Sequence, residues 1–222
     1  MELSCKNLNG VIFDIDGTLL DSMSIWGELG TKYLRSYGID AGVDFNKIAR
    51  SMTIEEGVSY LKQRFNIEKS ESEIKKGLVA ILADFYLKEV QLKPGAENLV
   101  KQFAKKQIPM ALATSGDSRL AIPALERLNL MKYFVILLTC GQLNTNKGEP
   151  LIFLRAMENL GSDGERKNYI IIEDSLQALK TASAAGFRTL GILDESSVSD
   201  WDEIKKTADC WVESLEEVTL VD

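Results

Sequence analysis

Histidine is absent from all 222 residues. That removes every mechanism in which an imidazole activates a serine or cysteine, and every metal site built with a histidine ligand. Cysteine is scarce too: Cys5, Cys140 and Cys210 are scattered, odd in number and form no CxxC pair. Such spacing fits reduced thiols and argues against a disulfide framework or a thiolate zinc site. No stretch is apolar for long enough to span a bilayer, and the opening MELSCKNLNG lacks the basic start and apolar run of a secretory signal. The expectation is a cytoplasmic protein with no membrane partner. Positive charge is also in deficit, with 26 Lys and Arg against 33 Asp and Glu and a net charge of -7, which leaves no basic footprint for nucleic acid. An anionic substrate would have to be held by local cations.

What is present is an ordinary globular composition, long enough for one large domain or a main domain with a smaller companion. The stretch VIFDIDGTLLDS opens with Val11, Ile12 and Phe13, which read as a core strand whose signal runs to Ile15. Asp14 and Asp16 alternate with Ile15, so in a strand leaving its sheet both point the same way. Like charges that close need a cation between them or a shared proton, so the pair reads as a metal site, an acid/base pair, or both.

From about Ser22 to Val90 the pattern is helical. SIWGELGTKYLRSYG, TIEEGVSYLKQRF and SEIKKGLVAILADFYLKEV each space apolar residues three or four apart, which predicts an inserted unit of three or four helices. Lys93-Pro94-Gly95 then punctuates the chain. Beyond it helices, one of them expected from about Glu149 to Leu160, alternate with the apolar runs MALAT (110–114), FVILL (134–138), YIIIE (169–173) and RTLGI (188–192). Short apolar runs separated by helices read as βαβ units around a buried parallel sheet. The expected fold is α/β, a doubly wound, Rossmann-like core from residues 1–20 and 93–222, with residues 21–92 as an all-helical cap domain.

Ligands of open parallel sheets sit at the carboxyl ends of the strands. The predicted ends deliver Asp14 and Asp16, then Thr114 and Ser115 in ATSGD, then Glu173 and Asp174 in IIEDS, with Lys147 in the loop GQLNTNKGEP. Singly, each has an ordinary structural use as a turn, a helix cap or a surface lysine. Together, carboxylates, hydroxyls and one lysine suit phosphoryl transfer. Carboxylate oxygens can hold Mg²⁺, Asp14 can attack phosphorus, Asp16 can protonate the leaving alcohol, and Thr114, the Ser115 N–H and Lys147 can hold phosphoryl oxygens. Gly17 and Thr18 would turn the chain sharply after the strand.

These motifs resemble the haloacid-dehalogenase superfamily of aspartate-nucleophile phosphohydrolases, in its helical-cap branch with phosphoglycolate phosphatases and β-phosphoglucomutase. VIFDIDGT matches its first motif, MALATS its second, Lys147 its third and IIEDS its fourth. The resemblance implies Asp14 as nucleophile and Asp16 as acid/base. It implies Thr114 and Lys147 as the phosphate-binding pair. For Mg²⁺ it implies Asp14, the Asp16 carbonyl and Asp174, with Glu173 as a further ligand or neighbour, and it puts Asp21 and Ser22 near the hinge into the cap. Gly148 stands where the family usually has proline, and Ala178 where many relatives have glycine. Trp26 and Ile54 stand near the positions of the mutase's cap histidine and arginine, which favours a phosphatase of small sugar or polyol phosphates over a phosphomutase. A catalytically silent binding protein on the same fold is the reading from another class. Met23 and Trp26 are the candidate specificity residues of the cap, Trp26 being equally suited to its core, and Arg50 and Lys62 are candidate contacts for an acidic substrate tail or solvated helix residues.

Overall fold

The computed structural model describes residues 1–42, 45, 52–161 and 164–222. The chain forms two compact units, one of residues Met1–Asp21 and Val90–Asp222 and one of Ser22–Glu89. In the first unit a six-stranded sheet is built from β2 (Gly10–Phe13), β3 (Met110–Thr114), β4 (Phe134–Thr139), β5 (Tyr169–Glu173), β6 (Arg188–Ile192) and β7 (Cys210–Val212), in the order β4-β3-β2-β5-β6-β7 with every pair parallel. β1 (Glu2–Ser4) and β8 (Thr219–Val221) form a separate parallel pair that ties the two ends of the chain together.

Strand β2 is buried along its whole length, as a central strand covered on both faces must be. Its alternate residues serve opposite layers. Ile12 packs with Ala111, Ala113 and Ile171 in the cluster that receives Ile152, Phe153 and Ala156 of the helix Leu151–Asn159. Phe13 meets Phe103, from the helix Ala96–Lys105, with ring centroids 6.0 Å apart at 75°. Truncating either buried Phe to Ala would cost about 3–5 kcal/mol.

Among the described residues of the second unit every regular element is helical: α1 (Met23–Arg35), α2 (Ile54–Arg64) and α3 (Glu71–Asp84), the last running into one wide turn at Phe85–Glu89. Two capping boxes, Thr53 with Glu56 and Ser70 with Glu73, fix where α2 and α3 begin. No helix among the described residues is long and apolar enough to cross a membrane.

Three elements of the first unit were not expected from the sequence. β1, β7 and β8 are three residues each, too short for a periodic signal, and their pairing partners lie far away in the chain. Boundaries also differ, β4 for instance running one residue further, to Thr139. β2 stops at Phe13 instead of Ile15, because the Leu19 and Leu20 N–H groups turn back onto the Ile15 carbonyl. The helix expected from residue 149 begins at Leu151, after Pro150, which supplies no N–H.

Candidate active site

The segment Asp14–Thr18 leaves the sheet between its two central neighbours. The Asp14 N–H continues the ladder by donating to the Ile172 carbonyl at 3.0 Å, and the chain then closes a turn in which Gly17 N–H donates to Leu20 O at 2.9 Å. Gly17 adopts φ +89°, and a Cβ built there would fall 2.6 Å from Asp174 Oδ2. Only glycine serves at this position, both for the backbone and for the approach of the carboxylate. Thr18 Oγ1 then donates to Asp174 Oδ1 at 3.1 Å, so the turn after β2 grips the acid delivered by β5.

Glu173 is the last residue of β5, and its Oε2 accepts the Ser175 N–H at 2.8 Å. Lys147, from the loop between β4 and the helix Leu151–Asn159, donates from Nζ to both Asp14 Oδ1 and Glu173 Oε1. The three acids Asp14, Glu173 and Asp174 each bring an oxygen within 4.8 Å of the others, and all three are buried. Lys147 is 9% exposed. Burial pushes the Asp14 carboxyl up to about 7, against the opposing pull of Lys147, while Glu173 and Asp16 push further upward. Asp174 is raised well above the usual carboxylate range by burial first and then by Glu173, Asp14 and Asp194. For Lys147 burial works against the charge, but Asp14 and Glu173 outweigh it and hold the ammonium protonated.

Asp16 is near enough to act on Asp14 but keeps its own contacts. Its carboxylate is not among the gathered side chains; a Cβ built at Gly116 would sit 2.7 Å from Asp16 Oδ2, so the acid is laid against the turn that follows β3. Thr114 ends β3 almost wholly buried, with Oγ1 accepting the Gly116 N–H at 2.8 Å, and its carbonyl accepts the Cys140 N–H at 2.9 Å. Ser115 is exposed, its Oγ 3.6 Å from Cys140 Sγ.

Of the residues singled out in the sequence, Asp14, Lys147, Glu173 and Asp174 thus form one buried group, with Asp16 and Thr114 together at Gly116. Met23 and Trp26 are half-buried on α1, where Trp26 lines an apolar cavity of the helical unit with Leu29, Phe45 and Tyr60. Lys62 Nζ donates to the Lys69 carbonyl at 2.9 Å, and Arg50 falls outside the described residues. Asp21 N–H donates to Gln91 O at 2.9 Å, where the chain leaves and re-enters the first unit. Sequence reasoning passed over Lys93 and Asp194, an ion pair at 2.8 Å between a half-buried lysine and a buried carboxylate. The position of Asp194 just after the run RTLGI, at one more strand end, was the available signal.

The hard oxygen donors of Asp14, Glu173 and Asp174, buried and only partly balanced by Lys147, fit a divalent cation of the Mg²⁺ kind better than a metal that prefers nitrogen or sulfur. Comparison with known proteins agrees with this chemistry. The family profile of haloacid dehalogenase-like hydrolases matches residues 11–192. The chain is 28% identical over 183 residues, 82% of its own length and 84% of the other, to a phosphorylated carbohydrates phosphatase of Thermotoga maritima. It is 30% identical over 199 residues, 82% and 78% of the two chains, to 2-deoxyglucose-6-phosphate phosphatase 2 of Saccharomyces cerevisiae. A crystal structure from Thermotoga maritima described as a beta-phosphoglucomutase superposes with a TM-score of 0.82 at 27% identity, covering 94% of this chain and 95% of that one. The parallel sheet with its flanking helices and the matched residues make this chain a member of the haloacid dehalogenase-like hydrolases.

Proposed function

We propose that the protein is a Mg²⁺-dependent phosphatase of small phosphorylated metabolites, sugar or polyol phosphates, working through an aspartyl-phosphate intermediate. One observation carries the reading: two acids a single residue apart occupy different surroundings. Asp14 is buried against the Lys147 ammonium, whereas Asp16 faces the Gly116 turn outside the acidic group. Environments that differ in this way divide labour between carboxylates.

Asp14 attacks phosphorus as a carboxylate, and Asp16 gives its proton to the departing alcohol. Asp16 then takes a proton from water, which attacks the phosphoaspartate and frees phosphate. Lys147 and the Thr114–Ser115 turn hold the phosphoryl oxygens, where preorganised donors stabilise developing charge. Asp14, Asp174 and Glu173, with the backbone carbonyl of Asp16, would hold the cation, which when bound offsets negative charge on the carboxylates and the phosphoryl group. Residues 22–89 act as the cap that selects the leaving group, with Met23 and Trp26 as the contacts to test first. The phosphatases named above, one for phosphorylated carbohydrates and one for 2-deoxyglucose 6-phosphate, support the substrate class. The likeness to a structure described as a mutase keeps a phosphomutase as the second reading.

The test is phosphate release from a panel of sugar and polyol phosphates, with and without Mg²⁺, by wild type and Asp14→Asn. The proposal expects metal-dependent release by wild type and its loss in a folded Asp14→Asn. Turnover that survives the substitution would refute the nucleophile assignment. Interconversion of sugar phosphates with a bisphosphate activator, without phosphate release, would favour the mutase.

A further inference from the structure

Lys147 reaches the acidic group from a loop, and the loop is tied down on both sides of it. After β4 the chain is anchored beside Thr114, where the Cys140 N–H donates to the Thr114 carbonyl at 2.9 Å and the Thr145 N–H donates back to the Cys140 carbonyl at 3.1 Å. The next residue, Asn146, accepts twice from the far side of Lys147. Its Oδ1 takes the Gly148 N–H at 2.7 Å, and its carbonyl takes the Glu149 N–H at 3.1 Å. Lys147 is thus the second residue of a tight turn that Asn146 closes both through its backbone and through its side chain, the latter being the bond that asparagine makes with the backbone two residues on. Thr145 Oγ1 donates to Glu149 Oε2 at 3.1 Å across the same turn.

The space around the turn is matched to that bond. A Cβ built on Gly148 would fall 2.7 Å from Asn146 Oδ1 and 3.0 Å from Nε2 of Gln177, on the helix Leu176–Ala184 that follows Asp174. Gly148 therefore lets both amide side chains close on the turn. Asn146 is itself exposed, whereas Lys147, one residue on, is buried with Nζ donating to Asp14 and Glu173. A lysine carries its charge on a flexible four-carbon stem, so its ammonium is held only as well as the backbone from which the stem starts.

We infer that Asn146 is a positioning residue for Lys147: by closing the turn onto Gly148 it aims the lysine stem into the acidic group and keeps the ammonium where the phosphoryl oxygens arrive. The inference rests on the phosphatase reading, in which Lys147 grips the transferred phosphoryl group. Asn146→Ala then lowers kcat/KM on the order of tenfold. The phosphoryl group is common to every ester, so the loss is the same for a sugar phosphate and for nitrophenyl phosphate, unlike a loss at the group that protonates the leaving oxygen. Asn146→Ser keeps a hydroxyl that makes the same turn more weakly, and it recovers part of the loss. A residue that merely stiffened the loop would lower Tm and leave kcat/KM of the folded enzyme unchanged.

The experiment is steady-state phosphate release by the full chain with Mg²⁺, from a sugar phosphate and from nitrophenyl phosphate, for wild type, Asn146→Ala, Asn146→Ser and Gly148→Ala. Melting curves of each variant set an assay temperature well below every Tm. An equal fold-loss on both esters for Asn146→Ala, with Asn146→Ser between it and wild type, supports the inference. An unchanged kcat/KM, a loss that differs between the esters, or no recovery with serine overturns it and leaves the phosphatase reading intact. If Asn146→Ala does not fold, Gly148→Ala, whose Cβ crowds the same bond, decides in its place, an equal loss on both esters supporting the inference and any other result overturning it. A wild type that releases no phosphate from either ester overturns the phosphatase reading and this inference with it.

Discussion

Substituting Gly17 by alanine isolates the geometry on which the acidic group depends. Gly17 sits at φ +89°, and an added Cβ would fall 2.6 Å from Asp174 Oδ2 and 2.9 Å from its Cγ. The backbone cost of a left-handed conformation is about 1–2 kcal/mol for a residue with a Cβ. For a protein of this length each kcal/mol lowers Tm by about 2–4 °C, so the backbone alone predicts a fall of about 2–8 °C. Gly186 provides the control: it has φ +86° in the same unit, is exposed, and a Cβ there meets nothing within 4 Å. Gly186→Ala should therefore show the backbone cost and nothing else. Gly17→Ala should exceed it, because the Asp174 carboxylate must give way. Moving a catalytic group by about 1 Å can cost on the order of 10²-fold in rate, so turnover and Mg²⁺ binding should fall with Gly17→Ala and not with Gly186→Ala. The assay is a pair of melting curves with and without Mg²⁺ beside phosphate release. Equal Tm losses for the two variants, with Mg²⁺ stabilisation retained in both, would refute the close approach of Gly17 to Asp174 as the reason for a glycine in this turn.

The same site makes further predictions. Asp16→Asn should slow alkyl phosphates far more than nitrophenyl phosphate, since a good leaving group needs little proton donation; equal losses in the rate of product release would remove the acid role from Asp16. Lys147→Met strips two buried carboxylates of their shared ammonium, a change that costs about 3–5 kcal/mol where a buried pair is broken, and urea titration should show the deficit widening as pH rises and Asp14 ionises. For pH dependence, Asp14 is raised in the folded chain from 3.8 to about 7. The folded state then holds a proton that the unfolded state has released, so this group's contribution to stability falls as pH climbs from about 4 to about 7. A divalent cation favours the ionised form, so the Tm increment produced by Mg²⁺ should grow across that window, and an increment independent of pH would contradict the assignment.

The elements legible in the sequence were those whose signal is local. β3 and β5 appeared with the observed bounds, because MALAT, set off by Pro109 and Ser115, and YIIIE, set off by Asn168 and Asp174, are short and largely apolar runs. The strand-end acids were legible for the same reason: a parallel sheet requires its functional groups just past such runs. What escaped depends on partners distant in sequence. β1 exists through β8, more than two hundred residues away, and nothing in ELS announces a strand. The early end of β2 escaped as well, since it follows from hydrogen bonds onto the Ile15 carbonyl made by Leu19 and Leu20. Lys93 and Asp194 lie a hundred residues apart, and either taken singly reads as a surface charge.

The chemistry follows from the balance of charge at the strand ends more than from any single residue. Three buried carboxylates face one ammonium, so Lys147 can neutralise at most one of them, and the partner of Asp194 is already committed. Two unit charges 4 Å apart interact by about 4 kcal/mol at an effective dielectric constant of 20, enough to push a carboxylate's proton affinity up by several pH units. The site then has two ways to shed the excess: take up protons, as the raised Asp14 and Asp174 carboxyls show, or take up a cation of charge two. Protons would leave Asp14 neutral and unable to attack phosphorus, whereas a divalent cation leaves it ionised and removes the repulsion that a phosphate dianion would otherwise meet in a chain of net charge -7. On the phosphatase reading, the cation is required by the protein's own carboxylates before the substrate arrives. Lys147, held between Asp14 and Glu173, is then the one fixed positive group in the buried cluster able to turn toward the phosphoryl oxygens.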